Sequence, residues 1–231
     1  YSALAQEKTG DIWLNGRLFG SQVCHTTEDV EHADYVLFIG TNPFMAHGIV
    51  NARDTLKALQ KDPNRTMVVI DPRITETAKM ADVHLQLKPS TDAYLMLVML
   101  SVIVRENLYD AVFIEQHCTG FETLKNELLA IDIEDYAKRC DVPLYDIEKV
   151  ARDYANAKTA CVRIDLGIQH SMNTTLNGYL EKLLFLLTGN FGKKGTNNLH
   201  TYLVPLVSNT DERKKGILTA KHKMFPIGGL Y

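Results

Sequence analysis

The chain has 231 residues, 45% hydrophobic and 23% charged, with a formal net charge of −3. That length allows one large α/β domain or two small ones with a sizeable core. The balance excludes wholesale disorder, a collagen-like chain and a basic nucleic-acid surface, so no nucleic acid is expected as a partner.

Residues 1–33 carry no assignable pattern. The apolar run Asp34-Tyr-Val-Leu-Phe-Ile-Gly40 reads as a buried parallel strand ending in glycine. After the loop Thr41-Asn-Pro-Phe-Met-Ala-His47, the residues Ile49, Ala52, Leu56 and Leu59 recur at helical spacing up to Asp62-Pro63. Thr66-Met-Val-Val-Ile70 predicts a second strand, closed by Asp71-Pro72, and Val83-His-Leu-Gln-Leu87 a third. Thr91-Asp92 opens a long helix to about Asn107, apolar nearly all round and therefore a core helix. Helical patterns follow over 110–117, 121–130, 132–139 and 143–157. Thr159-Ala-Cys-Val-Arg-Ile164 returns to strand, 177–188 is helical, and a glycine-rich loop covers 189–195. This grammar predicts an α/β fold with a Rossmann-like parallel sheet flanked by helices, doubly wound in three layers. One domain is expected over 1–207, with a loosely packed tail over 208–231 that carries +3 and leaves −6 elsewhere.

Cys24, Cys118, Cys140 and Cys161 include no C-x-x-C pair. That excludes zinc ribbons and iron–sulfur clusters held within this chain and suits thiols in a reducing, cytoplasmic compartment. No charged-then-apolar leader is read at the start. The longest apolar run, 94–104, is too short to span a bilayer. A first residue Tyr1 rather than Met is read as a segment of a longer chain.

Ligands of open parallel sheets bind outside the carboxyl ends of the strands. Four loops fall there: Gly40-Thr-Asn-Pro, Asp71-Pro-Arg, Lys88-Pro-Ser-Thr-Asp92 and Asp165-Leu-Gly-Ile-Gln169. Gly40 lets backbone approach a pyrophosphate and Asn42 offers a donor beside it. Asp71 sits where a carboxylate commonly meets ribose hydroxyls, and Asp92 suits the paired N–H donors of a guanine edge. Each position also has a structural reading, as a turn for Gly40 and Asn42 and as a helix cap for Asp92. There is no G-x-G-x-x-G, no P-loop and no G-x-S-x-G. His47, His170 and His200 lie near these loops without a metal-ligand partner at suitable spacing. No catalytic residue and no metal ligand is assigned; Cys24 reads as a buried thiol.

Together, residues 33–43, the string Asp71-Pro-Arg-Ile-Thr-Glu-Thr-Ala78, Ala81-Asp82, residues 87–92 and Leu187-Thr-Gly-Asn-Phe-Gly192 resemble, in order and spacing, the molybdopterin oxidoreductase family. That family includes formate dehydrogenases, nitrate reductases and dimethyl sulfoxide reductase. The resemblance implies a molybdenum or tungsten enzyme with a bis(molybdopterin guanine dinucleotide) cofactor. It also implies an upstream domain with a [4Fe–4S] cluster, a C-terminal barrel and an electron-transfer partner, this chain being one central domain. By position, Gly40, Thr41 and Asn42 would line the phosphates of one dinucleotide. Asp71 would hold its ribose or guanine, with Pro72 and Arg73 shaping the turn. Lys88, Pro89 and Asp92 would cover the guanosine end. Gly167 and Gln169 would approach the phosphates or pterin, and Gly189, Asn190, Gly192 and Gly195 would face the cofactor from another side. The sequence departs from the family at His47-Gly48 (His-Pro), Pro89-Ser-Thr-Asp92 (P-G-T-D) and Asp165 (Gly). The metal's protein ligand would lie near or before Tyr1. The alternative is a free-standing nucleotide-binding or structural module without redox activity.

Overall fold

The computed structural model describes residues 9–22, 24–46, 48–199 and 224–228. The chain opens with helix α1 (Thr9–Phe19) and a short strand β1 (Thr26–Glu28). Strand β2 (Tyr35–Ile39), helix α2 (Ala52–Lys61), β3 (Thr66–Ile70) and β4 (Val83–Leu85) follow, with a single 3-10 turn, Ala78–Met80, before β4. Next come α3 (Asp92–Arg105), α4 (Ala111–His117), β5 (Cys118–Thr119), α5 (Phe121–Leu129), α6 (Ile133–Cys140) and α7 (Leu144–Asn156). The described chain closes with β6 (Ala160–Ile164), the four-residue α8 (Leu166–Gln169), α9 (Thr174–Leu187), β7 (Asn197–Leu199) and β8 (Phe225–Pro226).

The four main strands form one parallel sheet in the order β4-β3-β2-β6. Every residue of β2 is buried, which is why its sequence is a continuous apolar run rather than an alternation. Val36, Phe38, Met67 and Val69 face α2 through Leu56 and Leu59, while Tyr35, Leu37, Ile39, Val68, Ile70, Val162 and Ile164 face the larger helical layer. These are the three layers expected of a doubly wound fold. In the thick layer α3 is central, packed by α5, α6, α7 and α9, which explains why it is apolar on all sides. From β2 the chain proceeds outward through β3 to β4, then returns to place β6 on the other side of β2. The topological switch point therefore lies between β2 and β6, whose last residues Ile39 and Ile164 are in register.

The structure adds elements at both ends. α1 packs on α9, closely enough that a Cβ on Gly178 would stand 3.1 Å from Leu14. Their interface buries Lys182, whose Nζ donates to Asp11 at 2.6 Å and to Glu181 at 3.3 Å. Burial lifts the Glu181 carboxyl to about 7 despite that ammonium. β1 pairs antiparallel with β7, and β5 pairs with β8. Of the tail expected over 208–231, only 224–228 are described, and there Ile227 is fully buried while Phe225 meets Phe19 edge-on. The third strand stops at Leu85 rather than 87, and α9 starts at Thr174 rather than 177. All four cysteines are buried, and none is in a disulfide. Among the described residues no helix is long and apolar enough to cross a membrane.

Candidate functional site

At the switch point the loops after β2 and β6 touch. Gly40 ends β2 with φ +58°, a left-handed conformation that a Cβ disfavours, and any Cβ there would lie 2.4 Å from Ile168 Cγ2. Gly167 donates its N–H to the Gly40 carbonyl at 3.0 Å, and a Cβ on Gly167 would fall 2.3 Å from that same oxygen. Two bare backbones thus cross at the mouth of a cleft of about 380 Å³.

The first loop is fastened to the segment after β3. Asn42 Nδ2 donates to Glu76 at 2.7 Å, and its Oδ1 accepts from the Thr77 hydroxyl at 2.7 Å. The same hydroxyl accepts from Phe44 N at 3.1 Å. Asn42 is therefore a loop staple: it lines the cleft, but both ends of its amide are engaged by protein. Its neighbour Thr41 differs: the residue is 4% exposed and its Oγ1 is buried without a hydrogen-bond partner. A buried hydroxyl left so costs about 1–3 kcal/mol unless a ligand or water meets it.

The second and third loops supply acceptors. Asp71 is buried at the end of β3, one carboxylate oxygen accepting from Arg73 N at 2.8 Å, while its carbonyl accepts from His84 Nε2 at 2.9 Å. Lys88 N donates to Cys140 O at 2.8 Å and the Thr91 hydroxyl to Lys88 O at 2.6 Å, which draws 88–91 into a tight turn. Ser90 occupies that turn at φ +66°. Asp92, the first residue of α3, is 4% exposed. Burial raises its carboxyl to about 6, against the lowering effect of its own backbone N–H and with help from the Asp71 charge. The cleft thus brings together the Asp71 and Asp92 carboxyl groups, close enough for the first to act on the second, the Gly40–Gly167 crossing and the exposed Arg73. Among the described residues lining it there is no His, Cys or Lys. The arrangement can bind a polar molecule; it offers no nucleophile–base pair to break bonds.

The cleft gathers Gly40, Thr41, Asn42, Asp71, Pro72, Arg73, Pro89, Asp92 and Gly167. Lys88 is exposed in the same turn but is not part of the lining, and Gln169 is buried in α8. Gly189, Asn190, Gly192 and Gly195 are not brought to it. Asn190 Oδ1 accepts from Ala160 N, at the first residue of β6, and a Cβ on Gly195 would meet Thr159 just before that strand. This loop belongs to the amino end of the sheet because it follows a helix, and helices in such folds run back from the carboxyl edge. His47 and His200 lie outside the described residues, and His170 is exposed at the end of α8. Thr75, Ser90 and Asp165 also line the cleft. Each sits within a string already singled out by position, so adjacency to a strand end was the available signal. A larger groove of about 480 Å³, lined by Trp13, Leu124, Tyr136, Leu176 and Tyr179 among others, is apolar and away from the strand ends.

Residues 3–225 match the family model for molybdopterin oxidoreductases. The chain is 37% identical over 179 residues to the F420-dependent formate dehydrogenase subunit alpha of Methanocaldococcus jannaschii, covering 77% of this chain and 26% of that protein. To the nitrate reductase of Synechocystis sp. it is 33% identical over 177 residues, 77% of this chain and 24% of the relative. Among solved structures, acetylene hydratase from Pelobacter acetylenicus matches with a TM-score of 0.77 at 28% identity, over 89% of this chain and 28% of that one. The chain spans about a quarter of the length of these relatives.

Proposed function

Since the chain belongs to the molybdopterin oxidoreductase family, we propose that its cleft holds one guanine dinucleotide arm of a bis(molybdopterin guanine dinucleotide) cofactor. The chain would act as one central domain, over 1–207, of a molybdenum or tungsten oxidoreductase. The observation that carries this reading is the unpartnered, buried Thr41 hydroxyl beside the Gly40–Gly167 crossing, in one cleft with Asp71 and Asp92. These residues fit a nucleotide of that kind. Gly40 and Gly167 let the two loops meet beside the place of a pyrophosphate, and Thr41 donates to it. Asp71 accepts from ribose hydroxyls, and Asp92 accepts the two adjacent N–H donors of guanine. Pro89 and Ser90 cover the base, and Arg73 supplies a cation at the rim.

When bound, the cofactor supplies the metal that carries oxygen-atom or hydride transfer, while this chain binds and orients one arm. The matched relatives bear names as different as formate dehydrogenase, nitrate reductase and acetylene hydratase, and the chain aligns with about a quarter of each. A region shared across such different reactions suits the cofactor rather than any one substrate. The [4Fe–4S] cluster, the remaining walls of the cofactor site and the contact with an electron-transfer partner would belong to the rest of such an enzyme, in a cytoplasmic setting.

Calorimetric titration with GDP and ADP tests the reading. GDP should bind with a dissociation constant on the order of 10–100 µM, because one domain provides only part of the enclosure. ADP should bind at least about tenfold more weakly, and Asp92→Asn should remove the difference. Equal affinity for the two nucleotides, or a preference that survives Asp92→Asn, would overturn it.

A further inference from the structure

Arg163 stands near the end of β6 with its side chain only 16% exposed, and it joins three segments, of which the one carrying Asp165 lines the cleft. Nη1 donates to Glu28 of β1 at 2.6 Å, and Nη2 donates to Asp165 Oδ2 at 2.9 Å. The other oxygen of Asp165 accepts from Leu166 N at 2.9 Å, capping α8 directly ahead of Gly167. Gly48, which follows the first loop, lies against the guanidinium: a Cβ there would fall 2.3 Å from Nη2. The Nε of Arg163 is buried without a partner, so the group is placed for its charge and its two outer nitrogens rather than for complete hydrogen bonding.

The need for such a cation follows from Asp165 itself. It lines the cleft beside Gly167, where an unneutralised carboxylate would repel phosphate oxygens. We propose that Arg163 is a positioning residue for phosphate binding, holding Asp165 in the cap of α8 and cancelling its charge so that a phosphate can lie against Gly40 and Gly167. This rests on the nucleotide reading of the cleft. In charge terms the trio of Glu28, Asp165 and Arg163 carries −1; removing the cation makes it −2, and removing Asp165 as well restores −1.

The test pairs GDP with guanosine, which lacks phosphate, in calorimetric titrations of Arg163→Met, Asp165→Asn and the double variant. Arg163→Met should weaken GDP by about tenfold or more and guanosine by less than about twofold. The double variant should recover GDP affinity to within about threefold of the parent. Equal losses for GDP and guanosine, or no recovery in the double variant, would mean a structural role only and would overturn the proposal. If Arg163→Met does not fold, Asp165→Asn alone decides: GDP should bind about threefold tighter with guanosine unchanged, and unchanged GDP binding refutes it. Hydrogen exchange at the Leu166 and Gly167 amides needs no ligand, and it should accelerate about tenfold in Arg163→Met and in the milder Arg163→Lys. Should the parent bind neither GDP nor guanosine, the cofactor reading fails separately, and unaltered exchange in these variants would then defeat the positioning role.

Discussion

Two loops of this chain have the same flavour in sequence, Gly40-Thr-Asn42 and Gly189-Asn-Phe-Gly192, yet the structure uses them in different ways. The second loop and the strand after it work for β6, which has β2 on one side only. Asn190 Oδ1 accepts from Ala160 N at 3.1 Å, and Asn197 bonds Val162 through both ends of its amide, each at 2.9 Å. Two side chains thereby act as the missing neighbour strand and close a free sheet edge. At the carboxyl end Asn42 is likewise engaged by protein, but the groups around it are not at rest. Thr41 has an unmet hydroxyl, Asp92 a desolvated carboxylate, and Ser90 a left-handed backbone without being glycine. Glycine and asparagine content therefore does not mark a binding loop. What distinguishes the first loop is an unmet hydroxyl, a desolvated carboxyl and a left-handed serine gathered in one open cleft.

The largest test of that contrast is Asn197→Ala. It leaves the Val162 N–H and C=O buried without partners, at about 1–3 kcal/mol each, so unfolding free energy should drop by about 2–6 kcal/mol. GDP affinity per folded molecule should stay within about twofold, since the amide lies on the far side of β6 from the cleft. Urea unfolding alongside titration reads both. A loss of binding with stability intact would reverse the assignment of the two ends.

What could be read from sequence follows the same division. β2, β3 and β6 were legible because strands buried on both faces are continuous apolar runs, and with them came Gly40, Asp71 and Gly167 at their exits. α1 was not, because its face toward α9 carries Asp11 and Asn15, and its ends are broken by Gly10 and Gly16. β1 and β7, Thr-Thr-Glu and Asn-Asn-Leu, have no apolar alternation to find. The placement of Gly189, Asn190, Gly192 and Gly195 away from this cleft needed only direction of travel: a loop that follows a helix in a parallel α/β unit lies at the amino edge of the sheet, not at the carboxyl edge where the cleft opens. Thr41's isolation and the Arg163 ion pairs depend on long-range neighbours such as Glu28 and could not be seen in spacing.

A smaller effect sharpens the carboxyl end through pH. Asp92 titrates at about 6 when folded, against an unfolded value near 3.8. The folded state therefore holds the extra proton between those values. The Asp92 contribution makes stability highest below about pH 4, lowers it as pH rises to about 6, and is constant above. A shift of about two pK units corresponds to about 3 kcal/mol, which Asp92→Asn should return in part at pH 7, with little difference at pH 4. Urea unfolding of the parent and variant at both values isolates this residue, because other raised carboxyls such as Glu181 titrate in each. The same substitution that steadies the fold should abolish guanine preference, as expected where a group is kept for a ligand at a cost to stability. A variant less stable than the parent at pH 7 would show that the carboxylate is a structural cap instead.

The smallest effect is a matched pair that compares the ends in one backbone conformation. Ser90 at φ +66° and Gly192 at φ +78° occupy the same left-handed region, and no atom lies within 4 Å of a Cβ built on Gly192. For a residue with a Cβ the conformation costs about 1–2 kcal/mol, while glycine loses about 0.5–1 kcal/mol more entropy on folding. Ser90→Gly should thus gain about 0.5–1 kcal/mol, and Gly192→Ala should lose about as much through backbone alone, both read by urea unfolding. Since Ser90 lies in the cleft wall and Gly192 does not, only the first should also alter GDP binding, by less than about threefold through a looser 88–91 turn. If both substitutions change stability in the stated directions while neither touches GDP, Ser90 carries strain without serving the ligand. Thr41, Asp92 and the glycine crossing then define the cleft without Ser90, and the packing leaves no alternative residue at positions 40 and 167.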